Sequence, residues 1–235
     1  AELLAALEAG IVVNVESAAE LARLQRLADR QGRRPRVAIR VNPDFELKAS
    51  GMKMAGGPKQ FGIDAEQVPE VLAGLRGSGV EFFGFHIFSG SQNLDGEAIA
   101  ESERKGIELA LRLAESAPAA PRFVNLGGGF GIPYFPGDRP VDLGPVATAL
   151  AAAQDRARAA WPGAAIVIEL GRYLVGEAGI YVCQVIDRKV SRGQVFLITD
   201  GGLHHHLAAS GNFGQVLRKN YPVLVGTRVH GTARE

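Results

Sequence analysis

The chain has 235 residues, 46% of them apolar and 22% charged, with a formal net charge of +1. This is the composition of a globular protein with a sizeable core, and the near-neutral charge argues against a nucleic-acid or anionic-membrane partner. No apolar run is long enough to span a bilayer, the N-terminus is not a signal peptide, and the single Cys183 excludes an internal disulfide and fits a reducing, cytoplasmic compartment.

Residues 1–9 read as a helix closed by Gly10. It opens with no cap and no preceding strand, as expected of a chain cut from a longer protein. Ile11–Val15 is a strand, and Ser17 with Glu20 three residues on forms a capping box for a helix that Gly32 ends. Arg36–Val41 is the second strand, stopped by Asn42-Pro43, and residues 43–62 form a long loop. A helix is expected from about Asp64 to Leu75, then a strand over Glu81–Phe88, a helix over 95–116 and a strand over Arg122–Leu126. A Gly/Pro loop covers 127–140, an Ala-rich helix runs from Pro145 to Ala160, and Ala165–Leu170 is the fifth strand. Beyond Arg172 the texture changes to alternating β-branched runs, Gly179–Ile186 and Gln194–Thr199, with a further strand expected over Tyr221–Val229. Cys183 falls in such a run and is expected to be a buried structural thiol.

Repeated strand–helix alternation implies a parallel sheet. Five units in about 170 residues match the pace of an eightfold barrel, in which ~250 residues make eight units. Five strands cannot close such a barrel. The expected fold is therefore α/β: an incomplete (β/α)8 TIM-like barrel over residues 1–172, holding about the last five units, and the beginning of an antiparallel β domain over 173–235.

Each apolar run ends in functional groups: Asn14, Glu16 and Ser17; Arg40 and Asn42; His86, Ser89, Gly90 and Ser91; Gly127, Gly128 and Gly129; Glu169, Gly171 and Arg172. In parallel α/β sheets ligands sit beyond the carboxyl ends of the strands, so these groups converge on one mouth. Three glycines directly after a strand let backbone N–H groups approach an anion, although their spacing is not the dinucleotide fingerprint. Glu169 suits a protonated ring nitrogen, and Arg172 suits a carboxylate or phosphate. Strand alternation places Gly84, His86 and Phe88 on one face and Phe83, Phe85 and Ile87 on the other. His204-His205-His206 is not read as a metal site, because three adjacent residues on regular structure cannot all face one ion. Lys48, Lys53 and Lys59 read as a solvated basic edge, with Lys59-Gln60-Phe61-Gly62 as a candidate rim of the site.

Six segments in order resemble the pyridoxal-phosphate-dependent decarboxylases of barrel fold, the diaminopimelate/ornithine/arginine decarboxylase group. They are Val41-Asn42-Pro43, Lys59-Gln60-Phe61-Gly62, His86-Ile87-Phe88-Ser89-Gly90-Ser91-Gln92, Leu126-Gly127-Gly128-Gly129-Phe130-Gly131, Glu169-Leu170-Gly171-Arg172 and Asp200-Gly201-Gly202. The resemblance implies that His86 stacks on the cofactor ring. It implies that Ser91 and the amides of Gly127, Gly128 and Gly129 hold its phosphate with Gly171 and Arg172, and that Glu169 pairs with the pyridine nitrogen. His86 and Glu169 are thereby the catalytic candidates. The similar barrel racemases carry an Arg where Glu169 stands, so Glu169 favours decarboxylation. The resemblance further implies an amino-acid substrate and a homodimer with shared sites.

Two departures from the family matter. Members carry a Schiff-base lysine at the end of the first barrel strand, within a Tyr-Ala-x-Lys segment, and none of the six lysines (48, 53, 59, 105, 189, 219) stands in such a segment. A Cys and an Asp of the C-terminal domain, which reach the partner subunit's site, also have no counterpart. The chain alone is accordingly expected to be inactive, and a non-catalytic pyridoxal-phosphate-binding protein is the alternative. The motif following His86 is two residues longer than usual. It resembles a subgroup found in polysaccharide-export gene clusters or acting on an amino acid carried by an acyl-carrier protein, which leaves the substrate open.

Overall fold

A computed structural model describes residues 1–45, 52–53, 57–202, 204–205 and 223–228. The chain begins with helix α1 (Glu2–Ala9), strand β1 (Val12–Val15), α2 (Ala18–Gln31) and β2 (Arg36–Asn42). Short strands β3 (Met52–Lys53) and β4 (Ile63–Asp64) precede α3 (Val68–Gly74), β5 (Glu81–Ile87) and β6 (Gly90–Ser91). Then come α4 (Gly96–Ala114), β7 (Phe123–Gly128), α5 (Leu143–Ala160), β8 (Ala165–Glu169), α6 (Gly171–Val175), β9 (Val185–Ser191) and β10 (Gln194–Thr199).

The main sheet has the order β1-β2-β5-β7-β8 and every pairing in it is parallel, with β4 added beside the end of β2. This is the expected succession of strand–helix units. Its register lines up Val37, Ile39 and Val41 with Phe82, Phe85 and Ile87 on the face beneath the helices. All six are buried there with Leu24, Val68, Leu72, Ile107 and Val124, and each such side chain removed from water contributes about 2 kcal/mol. The opposite face carries Asn14, Ala38, Arg40, His86, Asn125 and Glu169, because successive residues of a strand point to opposite sides. One side of the sheet is therefore core, and the other is a row of polar groups.

Several elements differ from expectation. Asp64 does not open a helix. Ile63–Asp64 pairs with Val41–Asn42 instead, and α3 begins at Val68. Phe83 does not share a face with Phe85, because a bulge in β5 makes Phe82 and Gly84 face Val37 and Ala38 in succession. Phe83 is left between the guanidinium groups of Arg36 and Arg122, 5.6 and 4.4 Å from its centroid. The loop over 43–62 contains β3, whose backbone pairs antiparallel with Gly90–Ser91. β9 and β10 form the expected antiparallel hairpin, but it starts at Val185, and Cys183 in the preceding stretch is exposed rather than buried. Of Tyr221–Val229, Val223–Arg228 is described and ends in a 3-10 turn over Gly226–Arg228, not a strand. Lys48 and His206 lie outside the described residues. Among the described residues no helix is long and apolar enough to cross a membrane.

Candidate active site

The site grows from the carboxyl ends of β1, β2, β5, β7 and β8. At the end of β1 the helix cap sets Glu16. Ser17 Oγ accepts the Glu20 N–H at 3.1 Å, and the Glu20 carboxylate reaches back to the Glu16 N–H at 2.8 Å, one residue earlier than a strict capping box. Glu16 so held accepts from Arg40 Nη1 at 2.8 Å and from the Gly62 N–H at 3.1 Å. Arg40 also lies over the Phe61 ring, 4.9 Å from its centroid. Phe61 and Gly62 of the expected rim are thereby tied to β1 and β2. Only glycine fits at residue 62, where φ is +79° and a Cβ would come 2.8 Å from the Asn42 nitrogen.

His86 stands beside Arg40 in register and is only 6% exposed. Neither ring nitrogen has a hydrogen-bond partner. Burial holds its pKa below the ordinary 6.5; the charge of Glu169 raises it in part, and that of Arg40 lowers it. The ring is therefore neutral at neutral pH. Its Nε2 lies 3.4 Å from Glu169 Oε1, a separation without hydrogen-bond alignment, so the two are neighbours and not an ion pair.

Asn125, between them on β7, organises the centre. Its Nδ2 donates to Glu169 Oε1 at 2.8 Å and its Oδ1 accepts the Gly127 N–H at 2.9 Å. One side chain thus couples the carboxylate to the glycine loop. Sequence reasoning did not assign Asn125 a role; its signal was its inward position two residues before Gly127.

The loop itself is packed as only glycine allows. Gly127 and Gly129 have φ of +71° and +85°. A Cβ on Gly128 would overlap the Glu169 carbonyl oxygen, and one on Gly129 the Gly90 carbonyl oxygen. The longer motif after His86 runs alongside: the Asn93 N–H donates to Gly129 O and the Gly131 N–H donates to Asn93 O, both at 2.8 Å. This brings half-buried Ser91 toward the loop. Gly171 opens α6 directly after β8, with nothing within 4 Å of where a Cβ would stand. Arg172 donates to Gln92 Oε1 at 3.0 Å and lies 5.7 Å from the Tyr134 centroid. The rings of His204 and His205 are neighbours, with centroids 3.9 Å apart and planes tilted by 49°.

The geometry is a neutral buried imidazole, a carboxylate held at its side, a tightly packed glycine loop and an arginine. Those residues fit a flat, protonated heterocycle with a phosphate arm. Both imidazole nitrogens are left without a protein partner, and the glycine loop adds no side chain to the site, its Cβ positions lying against the backbone of Ile87, Gly90 and Glu169.

Comparison with known proteins agrees. The family described as "Pyridoxal-dependent decarboxylase, pyridoxal binding domain" matches residues 1–176. The chain belongs to this family of pyridoxal-dependent decarboxylases. Among its relatives is the L-glutamyl-[BtrI acyl-carrier protein] decarboxylase of Niallia circulans, 39% identical over 94% of this chain and 52% of that protein. Another is the diaminopimelate decarboxylase of Thermoplasma acidophilum, 32% identical over 96% of this chain and 52% of that protein. The crystal structure of Helicobacter pylori diaminopimelate decarboxylase complexed with L-lysine superposes with a TM-score of 0.72 at 28% identity, covering 90% of this chain and 52% of that one. The chain spans about half the length of the curated relatives it matches.

Proposed function

We propose that this chain is the pyridoxal-5'-phosphate-binding part of an amino-acid decarboxylase, a carboxy-lyase. The observation that carries the reading is the pairing, across Asn125, of a buried neutral His86 with the Glu169 carboxylate beside a side-chain-free glycine loop. His86 stacks on the cofactor ring. The amides of Gly128 and Gly129, with Ser91, Gly171 and Arg172, hold the phosphate; the Gly127 N–H is taken by Asn125 Oδ1, so Gly127 shapes the loop rather than donating to the anion. Glu169 keeps a proton on the ring nitrogen, its Oε1 fixed by Asn125 and its Oε2 left for that proton. When bound, the protonated ring supplies an electron sink for the pair left behind as CO2 departs. Residues 1–172 form the barrel part and 173–235 begin the β domain. The protein is cytoplasmic and works as a homodimer.

The substrate is an amino acid. Two observations favour one presented on an acyl carrier: the 39% identity to a decarboxylase named for a carrier-bound glutamyl group, and the extended segment Phe88-Ser89 before Gly90. Of the described lysines, Lys53 is on β3, Lys59 in the loop before β4, Lys105 on α4 and Lys189 on β9; none ends a strand of the main sheet. The chain by itself is therefore expected to bind pyridoxal phosphate reversibly and to release no CO2 from diaminopimelate, ornithine, arginine or a carrier-bound glutamyl group. Absorbance titration and a trapped-CO2 assay test both statements. Failure to bind the cofactor refutes the site, and CO2 release refutes the expected inactivity.

A further inference from the structure

Gln92 is one of two residues other than glycine with a positive φ among the described residues, at +55°, the other being Arg192 in the β9–β10 turn. A left-handed backbone is costly for a residue with a Cβ and persists where surrounding contacts over-determine it. Those contacts are specific. Gln92 Nε2 donates to the Ile132 carbonyl at 2.7 Å, and Gln92 Oε1 accepts the Ile132 N–H at 3.3 Å. This two-point grip on the N–H and C=O of one residue decides which end of the amide is oxygen. The same Oε1 accepts from Arg172 Nη1 at 3.0 Å. Gly131 leaves room for the grip, since a Cβ there would stand 3.1 Å from Gln92 Cδ. Gln92 thus joins the segment after His86, the end of the glycine loop and the arginine of α6.

We propose that Gln92 is the positioning residue for Arg172, aiming its guanidinium at the phosphate subsite while leaving its charge uncancelled. This rests on the phosphate reading of Arg172 given above. The chemistry explains why an amide stands here. A carboxylate of the same shape would lose the donor to Ile132 O and would neutralise Arg172, which would then attract an anionic ligand less. A shorter or absent side chain would release Arg172 to swing with its own rotamers.

The test is direct binding, read by fluorescence titration of the purified protein with pyridoxal 5'-phosphate and, separately, with pyridoxal, which lacks the phosphate. Gln92→Gly relieves the left-handed backbone and removes the amide; Gln92→Glu keeps the shape and reverses the electrostatics. Both are expected to weaken pyridoxal phosphate binding about tenfold, as for loss of a hydrogen bond to a charged group, and to leave pyridoxal binding within about twofold. Adding Gln92→Gly to Arg172→Ala is expected to cause no further loss. Thermal unfolding of each variant separates a binding change from misfolding. If Gln92→Gly folds and binds pyridoxal phosphate like the parent, while the parent prefers it to pyridoxal, Gln92 serves the turn alone and the proposal is overturned. A parent protein that shows no preference for the phosphorylated form overturns the phosphate reading itself, and this inference with it.

Discussion

Replacing Glu103 by glutamine isolates one buried carboxyl group. Glu103 lies on α4 in line with Ile99, Gly106, Ile107 and Ala110, all on the buried stripe of that helix. It is 4% exposed, and neither carboxylate oxygen has a hydrogen-bond partner. Burial pushes its pKa from the ordinary 4.5 up to about 8, offset slightly by the charge of Arg104. In the unfolded chain the group releases its proton near its ordinary value, while the folded chain keeps it until about pH 8. The folded state therefore binds more protons throughout that window, so stability falls as pH rises from about 4.5 to about 8 and levels off above. By linkage this one group costs on the order of 3 kcal/mol at pH 7 and on the order of 5 kcal/mol above pH 8. Glutamine keeps the shape and never ionises. The two proteins are expected to be nearly equally stable at pH 4.5, and Glu103→Gln to gain progressively above it. Urea unfolding at pH 5, 6, 7 and 8 reads the difference, which at pH 7 corresponds to a midpoint shift of about 1 M or more. Taking the difference cancels the titration of every other group. Parallel pH profiles, or a parent more stable than the variant at pH 8, would refute a buried, unpartnered carboxyl at this position.

Two further changes probe the site's framework. Gly128→Ala places a methyl group on the Glu169 carbonyl oxygen, so β7 and β8 must separate where Gly128 faces Glu169; a loss of about 1–3 kcal/mol in urea unfolding and weaker pyridoxal phosphate binding are expected, and unchanged values for both would contradict the packing. Glu16→Ala removes the acceptor shared by Arg40 and the Gly62 N–H; since the pair is partly exposed, about 1–2 kcal/mol is expected, together with faster limited proteolysis between residues 57 and 62, and a cleavage rate equal to the parent's would show that Glu16 does not tether this segment.

The sequence by itself determined the class of the fold and which functional groups stand at the strand ends. Alternation of strand and helix patterns, punctuated by Gly and Pro, is local information, and it is sufficient for a parallel sheet with β1, β2, β5, β7 and β8 in succession. Polar residues at strand ends were legible for the same reason: His86, Glu169 and the glycines stand where a two-residue period meets a turn. Only the tertiary structure decided what depends on partners distant in the chain. Ile63–Asp64 became a strand because the end of β2 offered a backbone to pair with, overriding a helix-like stretch. Phe83 left the core because of a bulge whose cause is register with β2, invisible in a period of two. Cys183 is exposed although its neighbours alternate, since burial belongs to the packing and not to the pattern. Asn125 and Gln92 stand in segments that the sequence singled out, but nothing local gave either of them a partner. Their importance comes from reaching Glu169, Arg172 and the backbone of Ile132 across separations of 44, 80 and 40 residues, and only folding brings those groups within hydrogen-bond range.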